Sequence, residues 1–206
     1  MSDTPDILDR FVVFEGLDGA GTSTQLGMLR DALRERGTAC FATCEPTDGP
    51  IGRLIRAVLR GELSVSGCTL ALLFAADRSE HLHAPDGVLA VLRGGGYVAS
   101  DRYLFSSVVY QSTDCPADYV SAINARFPLP RRLIFIDTPP EECQRRVAAR
   151  GARELFDRLP LQRRLRERYL EVNAHYAALG VEVATVDGSG PPAAVFDRIW
   201  KHMARF

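Results

Sequence analysis

Residues 11–25 read FVVFEGLDGAGTSTQ. Gly16 and Gly21 stand at the spacing of the phosphate-loop template G-x-x-x-x-G-K-[ST], and Ser23 supplies its hydroxyl. Successive backbone N–H groups over residues 17–23 can converge on phosphate oxygens, and the N-terminus of a following helix adds positive potential. A hydroxyl at Ser23 suits a magnesium ion that bridges phosphates, with Thr24 as a polar support. The candidate cradle is Gly16, Leu17, Asp18, Gly19, Ala20, Gly21, Thr22, Ser23 and Thr24. One component is changed, because Thr22 occupies the lysine position. A glycine turn before an ordinary helix would carry several of the same letters, so the rest of the chain has to decide.

Asp101, Arg102 and Tyr103 close a short apolar run. At the C-terminal end of a strand, a carboxylate can hold hydrated magnesium and a guanidinium can clamp phosphate. A surface ion pair is the alternative. Phe74 and Arg78 lie four residues apart in LLFAADRSEH, hence on one helix face. A ring and a guanidinium there can stack on a base and bond its edge. A core phenylalanine beside a solvated arginine has the same spacing, and Asp77 is equally ambiguous. His81 and His83 diverge on a helix, so all four histidines read as structural or surface groups. Arg145, Arg146, Arg150 and Arg153, with Glu154, Asp157 and a break at Gly151, could close as a lid over transferring phosphates or end a solvated helix. Arg163, Arg164, Arg166 and Arg168 interleave with Glu167 and Glu171, as on a surface or subunit-contact helix.

These side chains need a frame. Apolar runs predict strands at 11–14, 38–44, 97–101, 133–137 and 181–187. Helical spacing predicts helices at 22–36, 51–60, 67–92 and 104–126, the last interrupted near Cys115 and Pro116. Others follow Pro139–Pro140 toward residue 150 and cover 158–179 and 193–203, while the first ten residues read as a loose end. Strand–helix alternation predicts an α/β fold, a three-layer α/β/α sandwich on a five-stranded parallel sheet with right-handed crossovers. The 206 residues suffice for one domain, 1–206, with a lid at about 148–157. The formal charge of −1 argues against bulk nucleic-acid binding. Charges interrupt the apolar stretches before they could span a membrane. Five cysteines, an odd number without metal-ligand spacing, point to a reduced, cytoplasmic setting.

The order and spacing of FEGLDGAGTSTQ, EPTDGPIG, LLFAADRSEH, DRYLFSSVVYQ, FIDTPPEECQRR and RGARELFD resemble the thymidylate kinase family over nearly the full length. That family lies in the nucleoside monophosphate kinase group of P-loop NTPases. The resemblance implies Mg2+-assisted transfer of the terminal phosphoryl of ATP to thymidine monophosphate (dTMP), giving ADP and dTDP for dTTP biosynthesis. Phe74 would stack on thymine, Arg78 would bond its edge, and Asp18 would meet the sugar 3′-hydroxyl. Arg102 would grip the acceptor phosphate. Tyr103 would pack on the sugar and disfavour a 2′-hydroxyl, and Ser107 and Gln111 would enclose the base. Glu15 and Asp101 would lie near the phosphate–magnesium network, with Ser23 and Asp101 closest to the metal. Arg150 and Arg153 would stabilise the transferred group. The resemblance also implies a homodimer through long helices, and the charge balance and interrupted apolar stretches predict neither a nucleic-acid nor a membrane partner.

Two positions depart from the family pattern. Thr22 replaces the loop lysine, and Cys44 replaces the arginine before Glu45–Pro46. Both changes remove positive charge near phosphate. Arg102, the lid arginines or an inward-reaching Arg53 are candidate replacements. An impaired or non-catalytic nucleotide-binding homologue, or a deoxynucleotide kinase of altered preference, is the alternative function.

Overall fold

The computed structural model describes residues 5–149 and 158–203. Its centre is β1 (Ile7–Gly16), whose Phe11, Val12, Val13 and Phe14 are fully buried. Strands β2 (Cys40–Cys44), β3 (Tyr97–Asp101), β4 (Leu129–Asp137) and β5 (Glu182–Asp187) complete a sheet of order β2-β3-β1-β4-β5. All four pairings are parallel. With helices between successive strands, the chain is the expected three-layer α/β sandwich, covered on both faces.

Helix α1 (Thr22–Glu35) leaves the glycine loop and buries Leu26, Leu29 and Leu33. Helices α2 (Pro50–Leu59), α3 (Gly67–His83) and α4 (Val88–Arg93) connect β2 to β3. Next come α5 (Leu104–Tyr110), a 3-10 turn (Gln111–Thr113) and α6 (Ala117–Asn124). Helices α7 (Pro140–Ala149), α8 (Leu159–Ala178) and α9 (Pro192–Trp200) complete the order.

The elements differ from expectation in three places. The N-terminal residues are not all loose: β1 starts at Ile7, which pairs with Leu129, ahead of a register shift between Leu8 and Val12. The helix expected over 67–92 is two helices. Ala84 precedes Pro85 and is extended (φ −53°, ψ 152°), since the proline ring disfavours the helical region for the residue before it. Gly87 then lies where a Cβ would meet the His81 carbonyl at 2.6 Å. The reduced-thiol reading fails at one pair: Cys68 at the start of α3 is disulfide-bonded to Cys115, and Cys40, Cys44 and Cys143 are free. No described helix is long and apolar enough to cross a membrane.

Candidate active site

The ends of β1, β2 and β3 are in register, with Asp101 opposite both Phe14 and Cys44. The glycine loop and the Asp101–Arg102–Tyr103 triplet therefore leave the sheet at the same edge, where open parallel sheets bind ligands. Gly19 (φ 88°) and Gly21 (φ 104°) take left-handed conformations that fold the loop, and Gly21 caps α1. Gly19 is also required by packing, because a Cβ there would sit 2.4 Å from the Cys143 carbonyl of α7.

Ser23 Oγ donates a short hydrogen bond to Asp101 Oδ2. Asp101 Oδ1 is buried and has no hydrogen-bond partner. A hydroxyl and a carboxylate with an open oxygen form a hard, all-oxygen donor pair that fits magnesium, which commonly uses one or two carboxylates and substrate phosphates. Among the described residues no group of three or more His, Cys, Asp or Glu side chains is placed to hold a metal ion. Thr22 is buried at the lysine position, and Thr24 lies in a cleft with Gly21, Arg146 and Gly190.

Arg102 is a non-glycine residue with left-handed backbone (φ 70°). Its N–H donates to the Phe14 carbonyl (2.9 Å) and its carbonyl accepts from Ser100 Oγ (2.8 Å). Such strain persists only where the surroundings over-determine it. The side chain donates from Nη2 to Asp18 Oδ1 (2.6 Å), and from Nη1 to Ser106 Oγ (2.9 Å) and the Tyr169 hydroxyl (3.2 Å). Behind it, Glu15 accepts from the Tyr103 N–H (2.9 Å), Ser106 Oγ (2.5 Å) and the Tyr169 hydroxyl (2.9 Å). Burial pushes the Glu15 carboxyl up from 4.5 to about 7, against the lowering pull of Arg102 and these donors.

This shift has a defined sign. The folded chain holds the Glu15 proton more tightly than the unfolded chain, so its contribution is largest below pH 4.5 and is lost as pH rises through about 7. An upward move from 4.5 to about 7 corresponds to about 3 kcal/mol of linkage free energy. Urea unfolding of the native chain and of Glu15→Gln across this window should therefore show their stability difference shifting by that amount in favour of the glutamine variant. A pH-independent difference would contradict the shift.

The second wall comes from α3. Phe74 packs on the Ile55, Val58 and Leu70 cluster, and it faces a cleft shared with Asp18, Arg78, Arg102, Tyr103 and Gln111. Arg78 is not solvated but 1% exposed. It donates from Nε to Glu45 Oε2 (2.9 Å), from Nη2 to Ser107 Oγ (2.9 Å) and from Nη1 to Asn124 Oδ1. Each guanidinium nitrogen thus already has a protein partner. Ser107 lies behind Arg78 as its acceptor, while Tyr103 donates to the Pro128 carbonyl (3.0 Å). His81 is structural, bonded to Glu45 (3.0 Å) and Thr43 (2.7 Å). Asp77 accepts from the N–H (2.7 Å) and hydroxyl (2.6 Å) of Thr47, which holds the Glu-Pro turn against α3.

The basic group reaching toward Cys44 is Arg56, not Arg53. Arg53 is exposed and donates to the Asp48 carbonyl (2.5 Å). Arg56, one turn later, donates to the Pro46 carbonyl (2.5 Å) and lies 3.9 Å from Cys44 Sγ. Burial pushes the Cys44 thiol up, so Cys44 itself brings no charge at neutral pH. Arg166, read as a surface or subunit-contact residue, bonds both oxygens of Asp137 (2.6 and 2.7 Å) and ties α8 to the end of β4. Arg150 and Arg153, with positions 150–157 of the expected lid, lie outside the described residues.

The thymidylate kinase family model matches residues 14–199. The chain belongs to the thymidylate kinase family. A Treponema pallidum protein named for thymidylate kinase is 39% identical over 204 residues, spanning 98% of both chains. A Pyrococcus abyssi protein of the same naming is 40% identical over 169 residues, covering 79% of this chain and 82% of its own. The solved thymidylate kinase of Candida albicans shares the fold, with a TM-score of 0.77 over 95% of this chain and 91% of that one at 23% identity. Membership in the thymidylate kinase family assigns the general activity, phosphotransfer of the nucleoside monophosphate kinase kind.

Proposed function

We propose that the protein transfers the terminal phosphoryl group of ATP directly to dTMP, yielding ADP and dTDP. The observation that carries this reading is the Asp18–Arg102 pair, held at 2.6 Å between the phosphate loop and the Phe74 cleft. From that position Arg102 takes the acceptor phosphate and Asp18 the sugar 3′-hydroxyl. Phe74 supplies a face for the base, Gln111 closes the cleft, and Arg78 forms its rigid floor. Buried Tyr103 limits room beside the sugar.

The acceptor phosphate is itself the nucleophile, so no side chain must form a covalent intermediate or remove a proton from carbon or hydroxyl. Catalysis is then mainly positioning and charge neutralisation. Ser23 and Asp101 would hold Mg2+, which supplies charge stabilisation at the phosphates when bound. The loop N–H groups hold the donor phosphates, and Arg102 fixes the attacking phosphate. Arg56 restores positive charge on the side where Cys44 provides none. A homodimer through exposed apolar side chains such as Leu54, Leu63 and Leu72 belongs to the same reading.

The test is conversion of dTMP and Mg-ATP to dTDP and ADP by the purified chain, with other deoxynucleoside monophosphates as competing acceptors. No transfer across acceptors, donors and metals would overturn the reading. Thr22 and Cys44 favour a second one, a nucleotide-binding homologue without turnover. Calorimetric binding of both nucleotides without product would identify it.

Thr22→Lys separates a missing charge from a compensated one. It is expected to raise kcat/KM for ATP by roughly tenfold, mostly through the donor KM, because one cation beside the phosphates adds ~1.4 kcal/mol of attraction. Steady-state kinetics with the acceptor saturating checks this. An unchanged value would mean that the positive charge is already supplied from elsewhere.

A further inference from the structure

Arg146, on α7, meets the glycine loop from the β4–β5 side, across β1 from Arg102, and the acceptor chemistry makes no use of it. Its Nη1 donates to the carbonyls of Ala20 (3.2 Å) and Gly19 (3.4 Å), and its Nη2 to the carbonyl of Gly188 (3.2 Å). Glu142, one turn earlier on α7, anchors the same guanidinium at 2.7 Å. Thr138 Oγ1 adds a second donor to the Ala20 carbonyl (3.2 Å). The contact is built in: α7 approaches so closely that only glycine fits at position 19. An i,i+4 ion pair on a helix surface explains the Glu142 contact. It does not explain a fork laid across the carbonyls of two successive loop residues and of a third beyond β5.

In a trans peptide the carbonyl and the N–H point in opposite directions. A guanidinium that holds the Ala20 carbonyl therefore directs the Gly21 N–H away from α7. It also polarises that N–H, because hydrogen bonds in series strengthen one another. We propose that Arg146 is a positioning residue that replaces part of the missing lysine from behind the loop, orienting and polarising the peptide groups that receive the donor phosphates. A lysine acts as a point charge in front of the phosphates, whereas this guanidinium acts through the loop backbone. The inference rests on the reading of residues 16–24 as the donor-phosphate cradle. It differs from a contact between Arg146 and the donor base, which the shared cleft with Thr24 and Gly190 would also permit.

Magnesium tripolyphosphate has the phosphate chain and no base, so it separates the two. Calorimetric titrations compare the native chain, Arg146→Gln, Arg146→Lys, Thr22→Lys and the Thr22→Lys/Arg146→Gln double variant, each verified as folded by its thermal melt. Arg146→Gln is expected to weaken tripolyphosphate binding about tenfold, because a charge-assisted contact is lost at two carbonyls. Arg146→Lys should recover part of that loss. On the Thr22→Lys background the same change should cost less than about threefold, since the frontal charge then carries the load and the two sites couple. Acceptor affinity should stay unchanged throughout. Equal losses on both backgrounds, no recovery with lysine, or intact tripolyphosphate binding with weakened ATP binding would each overturn the inference. If Arg146→Gln does not fold, Arg146→Lys on the two backgrounds gives the same coupling. A folded native chain that binds neither tripolyphosphate nor ATP would remove the donor-site reading, and this inference with it. Native binding that Arg146→Gln leaves intact would remove only the inference.

Discussion

Arg102→Gln is expected to lower kcat/KM for dTMP by on the order of a hundred- to a thousandfold, the usual cost of removing a pre-oriented charged donor from a transferring group. The native guanidinium is held by Asp18, Ser106 and Tyr169 before any acceptor arrives, so little reorganisation remains. Glutamine keeps some of the volume and hydrogen-bonding capacity but loses the charge and the fork. It also leaves Asp18 and buried Glu15 without their shared counter-charge. The donor KM should change far less, because the Arg102 side chain meets the phosphate loop through the Asp18 carboxylate and not through the N–H groups that hold the donor. Arg102→Lys should recover only part of the loss, since an ammonium cannot span Asp18 and Ser106 as a planar fork does. Full kinetics for both substrates check the result. A loss confined to the donor KM would move Arg102 out of the acceptor site.

Arg78→Met should act first on stability. Arg78 and Glu45 form an ion pair at 2.8 Å with side chains 1% and 2% exposed. Deleting one partner of a buried pair strands the other, at about 3–5 kcal/mol. Glu45 would keep its bond to His81, and Asn124 and Ser107 would lose their Arg78 donor. Urea unfolding should show the full decrease in Arg78→Met and a partial recovery in Arg78→Met/Glu45→Gln, which removes the stranded charge. Equal instability of the single and double variants would assign the loss to packing. The folded fraction should also bind dTMP more weakly, since Arg78 stacks at 5.2 Å on Tyr103 and forms the cleft floor.

What was legible in the sequence was mostly local. FVVF is apolar on both faces, which only a central strand satisfies, and the glycine spacing marks the turn that follows it. The strand ends at Gly16 and Asp101 could be placed because parallel strands deliver their C-termini to one edge. The break at Ala84 was also written locally, in Ala-Pro-Asp-Gly, but the apolar residues on either side dominated the helix pattern. Ile7 and Leu8 were obscured by the charges around them. Tyr169 and Arg56 were not identifiable as site residues, for another reason. Tyr169 sits on the same buried stripe of α8 as Leu165 and Val172, and nothing in helical spacing shows that its hydroxyl meets Glu15. Arg56 read as a helix-surface cation and Arg146 as part of a lid or a solvated helix end, since their carbonyl partners lie on other segments. Spacing indicates which face a residue occupies; its partners depend on tertiary approach.

The position of β1 sets a mechanical limit. Arg102 and Glu45 extend from β3 and β2 on one side of it, and Arg146 and Gly188 follow β4 and β5 on the other. The phosphate loop leaves β1 and Arg102 follows the adjacent β3, so the two halves of the site are rooted one strand spacing apart, roughly 5 Å. Reacting atoms must meet at about 3–3.5 Å. A hydrogen-bonded sheet is stiff across its strands and cannot contract to supply the difference. On the proposed reading both substrates lean inward over Gly16, so the alignment of the reaction depends on side-chain length and loop height, and the sheet serves as a fixed-gauge rail beneath them.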